Sequence, residues 1–291
     1  MTFRLCRASL PSAHGADLEL AREHARIAAP RRGDIHWDSF DRASYSAGAL
    51  AAAAAAWRER ARQEYASLAV FTQLSSQLHL LGTPLDWAGA FARMIADEVR
   101  HTELCARMAE TLEPNLAVEI DEAELHLPVR DSSLRAHVRG AVLAASCIGE
   151  TLSGRFFRRC LRATTVPLAR DVVRTIVDDE TFHGELGWEL LALLLRSEGD
   201  ASFAAERQAL AAGLSELFEH YRALCGAERG EAWARRGDEA PSDPNFGTLT
   251  AQGYARAFFD GMRKDVVPRL VAVGLPEAEG AWAMLSRDGD G

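Results

Sequence analysis

Two short stretches of the chain carry the same metal-ligand types at the same spacing. Asp97-Glu98-Val99-Arg100-His101 recurs as Asp179-Glu180-Thr181-Phe182-His183, and of the nine histidines only these two have a glutamate three residues earlier. In an α-helix, residues i and i+3 lie on one face, so each stretch directs a carboxylate and an imidazole to the same side. About 0.05 matches to Asp-Glu-x-x-His are expected by chance in a chain of this composition, so the repetition indicates a shared chemical role.

Two further glutamates lie within apolar helical patterns, Glu64 before the first stretch and Glu150 between the two. One Glu from each of two helices, together with Glu-x-x-His from each of two others, is the ligand inventory of a di-iron or di-manganese four-helix bundle. On these residues the chain resembles the ferritin-like di-iron carboxylate family, over roughly residues 50–198. The residues around Glu150 and His183 are similar to those of bacterial ferritin-like domain proteins that have no settled function.

The resemblance implies an all-α fold: a ferritin-like four-helix bundle with additional C-terminal helices and an irregular N-terminal arm. The expected domains are the arm at 1–48, the di-metal bundle at 49–198, and a C-terminal helical extension packed on the bundle at 199–291. Within the arm, one short helix is expected near 17–28.

Helical periodicity and capping residues give the expected boundaries of the helices. The four bundle helices are predicted near 51–81, 84–111, 132–163 and 168–197, with Thr83 as the cap of the second and Asp131 or Ser132 as the cap of the third. The gap at 113–131 is the expected crossover between helix pairs. Beyond the bundle we expect a helix at 202–226, an exposed loop at 227–247, and helical segments at 249–275 with a break or new start at Pro268.

By this resemblance six side chains hold two metal ions, two as bridges and four as terminal ligands. The bridging ligands are Glu98 and Glu180, and the terminal ligands are Glu64, His101, Glu150 and His183. Four carboxylates with two imidazoles balance the charge of two Fe(II) ions, whereas the same set buried without metal would concentrate negative charge. The expected cofactor is a pair of iron ions, with a mixed Mn/Fe pair as the alternative.

Each motif also carries an aspartate directly before its glutamate. Metal-bound histidines usually donate their second N–H to a carboxylate or a carbonyl. Asp97 and Asp179 are therefore expected to accept this hydrogen bond from the histidine of the opposite motif. The alternative, left open, is that both simply lie in solvent on the helix flank.

Single positions separate the chain from better-known subfamilies of the fold. Cys105 stands where ribonucleotide reductase small subunits carry a radical tyrosine, Gly154 where bacterial hydrocarbon monooxygenases carry a threonine, and Ile176 where aryl-amine N-oxygenases carry a third histidine. Small residues also surround the ligands on the third and fourth helices. They could open a substrate cavity or let the two helices approach closely; the residues are Ser146, Ser153, Gly154, Gly184 and Gly187.

The function implied by the resemblance is enzymatic. The chain is expected to be a non-haem di-iron oxygenase or oxidase that uses O₂ to hydroxylate, desaturate or N-oxygenate a small organic substrate. An external electron donor, a ferredoxin or a reductase, is expected because the sequence has no flavin or iron–sulfur motif. The alternative is an iron-handling ferroxidase or storage protein, and tRNA hydroxylation is a third, weaker interpretation.

Composition and charge limit the other kinds of partner, metal site and cellular location that the sequence allows. The formal net charge of −9 argues against nucleic acid as the main partner. The five cysteines are scattered, without Cys-x-x-Cys, which is typical of reduced thiols and excludes a rubredoxin-type appendage. No apolar region suggests a signal peptide or a membrane span, so a cytoplasmic protein is expected. The oligomeric state is left open, with a homodimer, which is common in the family, as one alternative.

Overall fold

The computed structural model describes residues 2–5, 15–114, 116–126, 133–196, 201–238, 240–241 and 243–287. Within these ranges the protein is mostly helical, which confirms the expected all-α class, and it has two short strands. The chain divides into two compact units, one comprising 1–129 and 165–176 and the other 130–164 and 177–291. The predicted domain boundaries after residues 48 and 198 stay predictions.

The first unit is built on a helical hairpin. Helix α2, Ala47–Leu80, and helix α3, Leu85–Leu112, pack against each other along their lengths. Helix α2 begins at Ser46, whose side chain accepts a hydrogen bond from the Ala49 N–H, and ends before Gly82, which has a φ of +72°. Both helices agree with the prediction to within a few residues.

The start of α3 differs in detail from the expected one. Pro84, rather than Thr83, precedes the first helical residue, and the Thr83 hydroxyl donates to the Leu78 carbonyl at the end of α2. The hydroxyl therefore satisfies a carbonyl group at the C-terminal end of α2 and is not the cap of α3.

The N-terminal arm is more regular than the sequence suggests. Helix α1, Gly15–Ala28, packs on α3 and confirms the short helix expected near 17–28. Strand β1, Thr2–Arg4, pairs antiparallel with β2, Glu119–Asp121, which lies in the expected crossover. A three-residue strand with a distant partner leaves no periodic pattern, so this pairing was not predicted.

The second unit contains a helix interrupted by a wider turn. Helix α4, Leu134–Ala141, continues into a π-helical segment, Val142–Gly149, and then into α5, Glu150–Ala163. The cap is Ser133, whose side chain accepts from the Ala136 N–H; the expected caps, Asp131 and Ser132, lie outside the described residues. The π segment was not predicted, because its composition is that of an ordinary buried helix.

Helix α6, Pro167–Arg196, supplies its residues from Val177 onward to the same unit. Side-chain hydrogen bonds join it to the interrupted helix. The Arg139 Nε donates to the Leu194 carbonyl at 3.2 Å, and the Trp188 indole N–H donates to the Thr151 hydroxyl at 2.9 Å.

The C-terminal part of the second unit is helical. Its elements are α7 Ala201–Leu224, α8 Gly230–Arg236, α9 Ala251–Gly261, a second π segment Met262–Val266, α10 Val267–Ala272 and α11 Glu277–Arg287. Helix α7 packs on α11, and α9 packs on both α8 and α5. Pro268 lies in the first turn of α10, which confirms the expected new start.

One expectation for this region was wrong in part. The segment 227–247, predicted as an exposed loop, contains α8 and the buried residues Asn245 and Phe246. The Asn245 side chain accepts from the Gly247 and Thr248 N–H groups, so an internally hydrogen-bonded turn takes the place of a solvated loop. No helix among the described residues has both the length and the apolar character needed to cross a bilayer.

Candidate metal centre

The α2–α3 hairpin brings three of the predicted ligands together. Glu98 and His101 lie on one face of α3, and Glu64 reaches them from α2. The His101 Nδ1 is 3.5 Å from the Glu64 Oε2 and 4.0 Å from the Glu98 Oε2. All three side chains are buried, and His101 is completely so. An imidazole nitrogen therefore faces two carboxylates out of contact with solvent.

The second unit repeats this arrangement with Glu150, Glu180 and His183. Glu150 is the first residue of α5, directly after the π segment, and its Oε2 lies 3.1 Å from the His183 Nδ1. Glu180 lies one turn before His183 on α6, and all three residues are buried. In both units the histidine Nδ1 faces a glutamate on a different helix: Glu64 for His101 and Glu150 for His183.

Four of the six predicted ligands form a compact cluster. Glu98, His101, Glu180 and His183 each offer one ligand atom, and these four atoms lie within 4.8 Å of one another. Two ligand atoms on opposite sides of one ion are about 4.2 Å apart at ordinary metal–ligand distances, so the cluster could hold a metal ion after a small contraction. Glu64 and Glu150 lie outside this group of four, although each contacts its histidine.

The chemistry of the donor set fits a transition metal. Imidazole suits zinc, copper, iron and nickel, and carboxylates suit harder ions such as manganese. A set with both ligand types accepts several metals, so the geometry does not select one of them.

Close helix packing surrounds the predicted ligands of the second unit. A Cβ atom added to Gly187 would overlap the carbonyl group of Ser146 and would lie 2.9 Å from the Ser146 Cβ. Gly187 lies one turn after His183, and Ser146 lies one turn before Glu150. The missing side chain at Gly187 therefore lets the two ligand-bearing segments approach.

The other small residues behave differently from Gly187. A Cβ on Gly184 would meet no heavy atom within 4 Å, and the space over Gly154 is filled by the guanidinium of Arg158. The small residues were expected either to open a substrate cavity or to let two helices approach closely. Among these three glycines, close approach applies only at Gly187.

The two motif aspartates are both buried, which excludes the solvated alternative. The Oδ1 atom of Asp97 accepts hydrogen bonds from Arg31 at 2.5 Å and from Arg100 at 2.6 Å. The Arg100 Nε in turn donates to the Ala29 carbonyl, so the arm and α3 share a partly buried ion-pair network. The expected hydrogen bonds from the histidines to Asp97 and Asp179 stay predictions. The arginine contacts are new, and Arg31 lies too far along the chain for a sequence pattern to find it.

A tyrosine beside the π segment was also missed. The Tyr221 hydroxyl on α7 donates to the Ala144 carbonyl at 2.8 Å, and burial raises the pKa of this phenol, with nearby Cys225 and Glu150 adding to the effect. Burial also raises the pKa of the Cys147 thiol well above its ordinary value, although Arg269 acts in the opposite direction. Both groups are therefore neutral at physiological pH, so they place no further negative charge beside Glu150.

Comparisons of the chain with family models, with curated proteins and with solved structures found no match. The candidate metal centre is defined by the types of its side chains, their burial and the distances between them.

Proposed function

We propose that the protein is an O₂-dependent oxidoreductase that binds two iron ions and oxidises a small organic substrate. The observation that carries the proposal is the buried cluster of Glu98, His101, Glu180 and His183. The proposed fold is a ferritin-like bundle of α2, α3, the interrupted helix α4–α5, and α6, which is the architecture that places such ligands at a bundle centre.

The residues divide into two kinds of ligand. Glu98, His101, Glu180 and His183 would hold the ions, and Glu64 and Glu150 would add a carboxylate beside each histidine. When bound, the iron pair supplies the electrons that reduce O₂ and the oxidising power for the substrate. Repeated turnover would need an external electron donor.

The protein's own contribution is geometry and charge. Each histidine presents its Nδ1 to a carboxylate, and this contact orients the imidazole. Burial of the four glutamates keeps bulk water away, at an electrostatic cost that divalent cations offset. Neutralisation by cations explains why acidic side chains are gathered in a site with little solvent.

The test is the metal content of the protein after anaerobic loading with Fe(II), followed by exposure to O₂. We expect two irons per chain and consumption of O₂ in the wild type. Glu98→Gln should lose bound iron, while Glu110→Gln, the same change at an exposed position of α3, should keep it. Glu180→Gln and Glu189→Gln form the matching pair on α6, where Glu189 is exposed.

Two results would change the assignment. A wild type that binds no transition metal would refute the metal centre itself. Rapid oxidation of many irons per chain in the absence of any substrate would instead favour an iron-handling protein.

A further inference from the structure

One arginine side chain lies on the same helix as the predicted ligand Glu150. Arg158 lies two turns after Glu150 on α5, and its head folds back along the helix over Gly154. A Cβ on Gly154 would be 3.3 Å from the Arg158 Nη1 and 3.5 Å from the Nη2. Side chains on a helix lean toward its N-terminus. The positive charge of Arg158 therefore lies toward the N-terminal side of its Cα, in the direction of the turn that begins with Glu150.

The charges around Arg158 are mixed. Partial burial lowers the pKa of its guanidinium, and Arg155 adds to this effect, while Asp265 and Glu180 act against it. The influence of Glu180 shows that the guanidinium lies within electrostatic range of a cluster residue. Among the described residues, no carboxylate lies within ion-pair distance of Arg158.

The neighbouring arginines of α5 are engaged differently. The Arg155 Nη2 lies 2.5 Å from the Asp265 Oδ2, and Arg159 is paired with the buried Asp260. Arg158 thus keeps its fork of N–H donors available, and the side chain is exposed enough to be reached from solvent. An unengaged guanidinium fork matches the two oxygens of a carboxylate or phosphate group.

From this geometry we infer that Arg158 binds an anionic oxygen group of the substrate, with the rest of the molecule directed toward the metal cluster. This inference rests on the proposed function, since it gives the substrate class for the same site. A carboxylate and a phosphate share the required chemistry, and the experiment distinguishes them.

The experiment is a calorimetric titration of the Fe(II)-loaded protein under anaerobic conditions with three probes: hexanoate, hexyl phosphate and the neutral hexanamide. We expect one of the two anions to bind at least about tenfold more tightly than hexanamide, because its charge-assisted hydrogen bonds are stronger. The tighter of the two anions identifies the group.

The variants decide whether Arg158 is responsible. Arg158→Gln should weaken binding of the anion about 10- to 100-fold and leave hexanamide unaffected, while Arg158→Lys should restore part of the affinity through its charge. Arg162→Gln is the matched control, because Arg162 is an exposed arginine one turn further along α5. Equal anion affinity in Arg158→Gln and the wild type, equal losses in Arg158→Gln and Arg162→Gln, or no binding of either anion would overturn the inference.

Iron content is measured on every sample, so failure of the two proposals can be told apart. If the wild type binds no metal, the proposed function fails, and the same titration is made on the metal-free protein. If the Arg158→Gln variant of the metal-free protein binds the anion more weakly than the wild type, the anion site is still supported. If the two bind it equally, the inference is overturned.

Discussion

Replacement of Gly187 by alanine tests how α6 meets the π segment. The added Cβ would overlap the carbonyl group of Ser146, and a backbone carbonyl cannot rotate aside as a flexible side chain can. The two segments must therefore move apart or strain locally. Overpacking of this kind costs about 1–3 kcal/mol.

Gly184 provides an internal control on the same helix. A Cβ at Gly184 would meet no heavy atom within 4 Å, so alanine there should stabilise the protein by its helix propensity, about 1 kcal/mol. The same propensity gain applies at Gly187 and cancels when the two variants are compared. The free energy of unfolding of Gly187→Ala should therefore lie below that of Gly184→Ala by the overpacking cost alone, about 1–3 kcal/mol.

The assay is urea denaturation followed by circular dichroism, with the iron content measured in parallel. Because Gly187 lies one turn after His183 and Ser146 one turn before Glu150, separation of the segments should lengthen the 3.1 Å contact between the two ligands. We expect reduced iron content in Gly187→Ala and normal content in Gly184→Ala. Equal free energies of unfolding in the two variants would refute the close approach.

Three further predictions concern single side chains in the second unit. Tyr221→Phe removes the hydrogen bond to the Ala144 carbonyl and should lower the free energy of unfolding by about 1 kcal/mol in urea denaturation; an unchanged value would contradict the bond. Burial alone would raise the pKa of Asp260, but the hydrogen bond from Lys264 and the surrounding cations hold it below its ordinary value. Its stabilising effect is thus complete above the unfolded-state pKa of about 3.9 and is lost as the pH falls through the lower folded value. The difference in unfolding free energy between wild type and Asp260→Asn should shrink below about pH 4, and a difference independent of pH would contradict this. Burial raises the pKa of the Cys225 thiol to about 12. Iodoacetamide labelling followed by mass spectrometry should therefore be slow at pH 8, where only about 10⁻⁴ of the thiol is ionised, and fast labelling there would refute the shift.

Much of the helical framework could be predicted because local signals agree with the final structure. Helix α2 is one example, since its apolar periodicity ends at Gly82, whose positive φ ends the helix. The cluster residues were identifiable because Glu-x-x-His recurs, and this spacing fixes the relative direction of the two side chains whatever the tertiary structure. Glu64 was found as the one charge on an apolar stripe.

The parts that escaped prediction depend on contacts between distant segments. The pairing of β1 with β2 and the ion pair between Arg31 and Asp97 join residues far apart in the chain, and neither leaves a local pattern. The burial of Phe246 is similar, because turn-forming residues around it indicate exposure, while tertiary packing covers the side chain.

The π segment before Glu150 sets the rotation of α5 relative to α4 about their common helix axis. The Glu150 N–H bonds to the Ala145 carbonyl, five residues earlier, and one extra residue in a turn offsets a helix by about 100° around its axis. Deleting one residue between 142 and 149 would let the segment relax to α-helical geometry and rotate α4 against α5. Either Arg139 would then turn away from the Leu194 carbonyl, or Glu150 would turn away from His183. The length of the chain at this point is therefore fixed by the direction in which Glu150 must face to contact His183. This stretch should consequently reject single-residue insertions and deletions that ordinary loops accept.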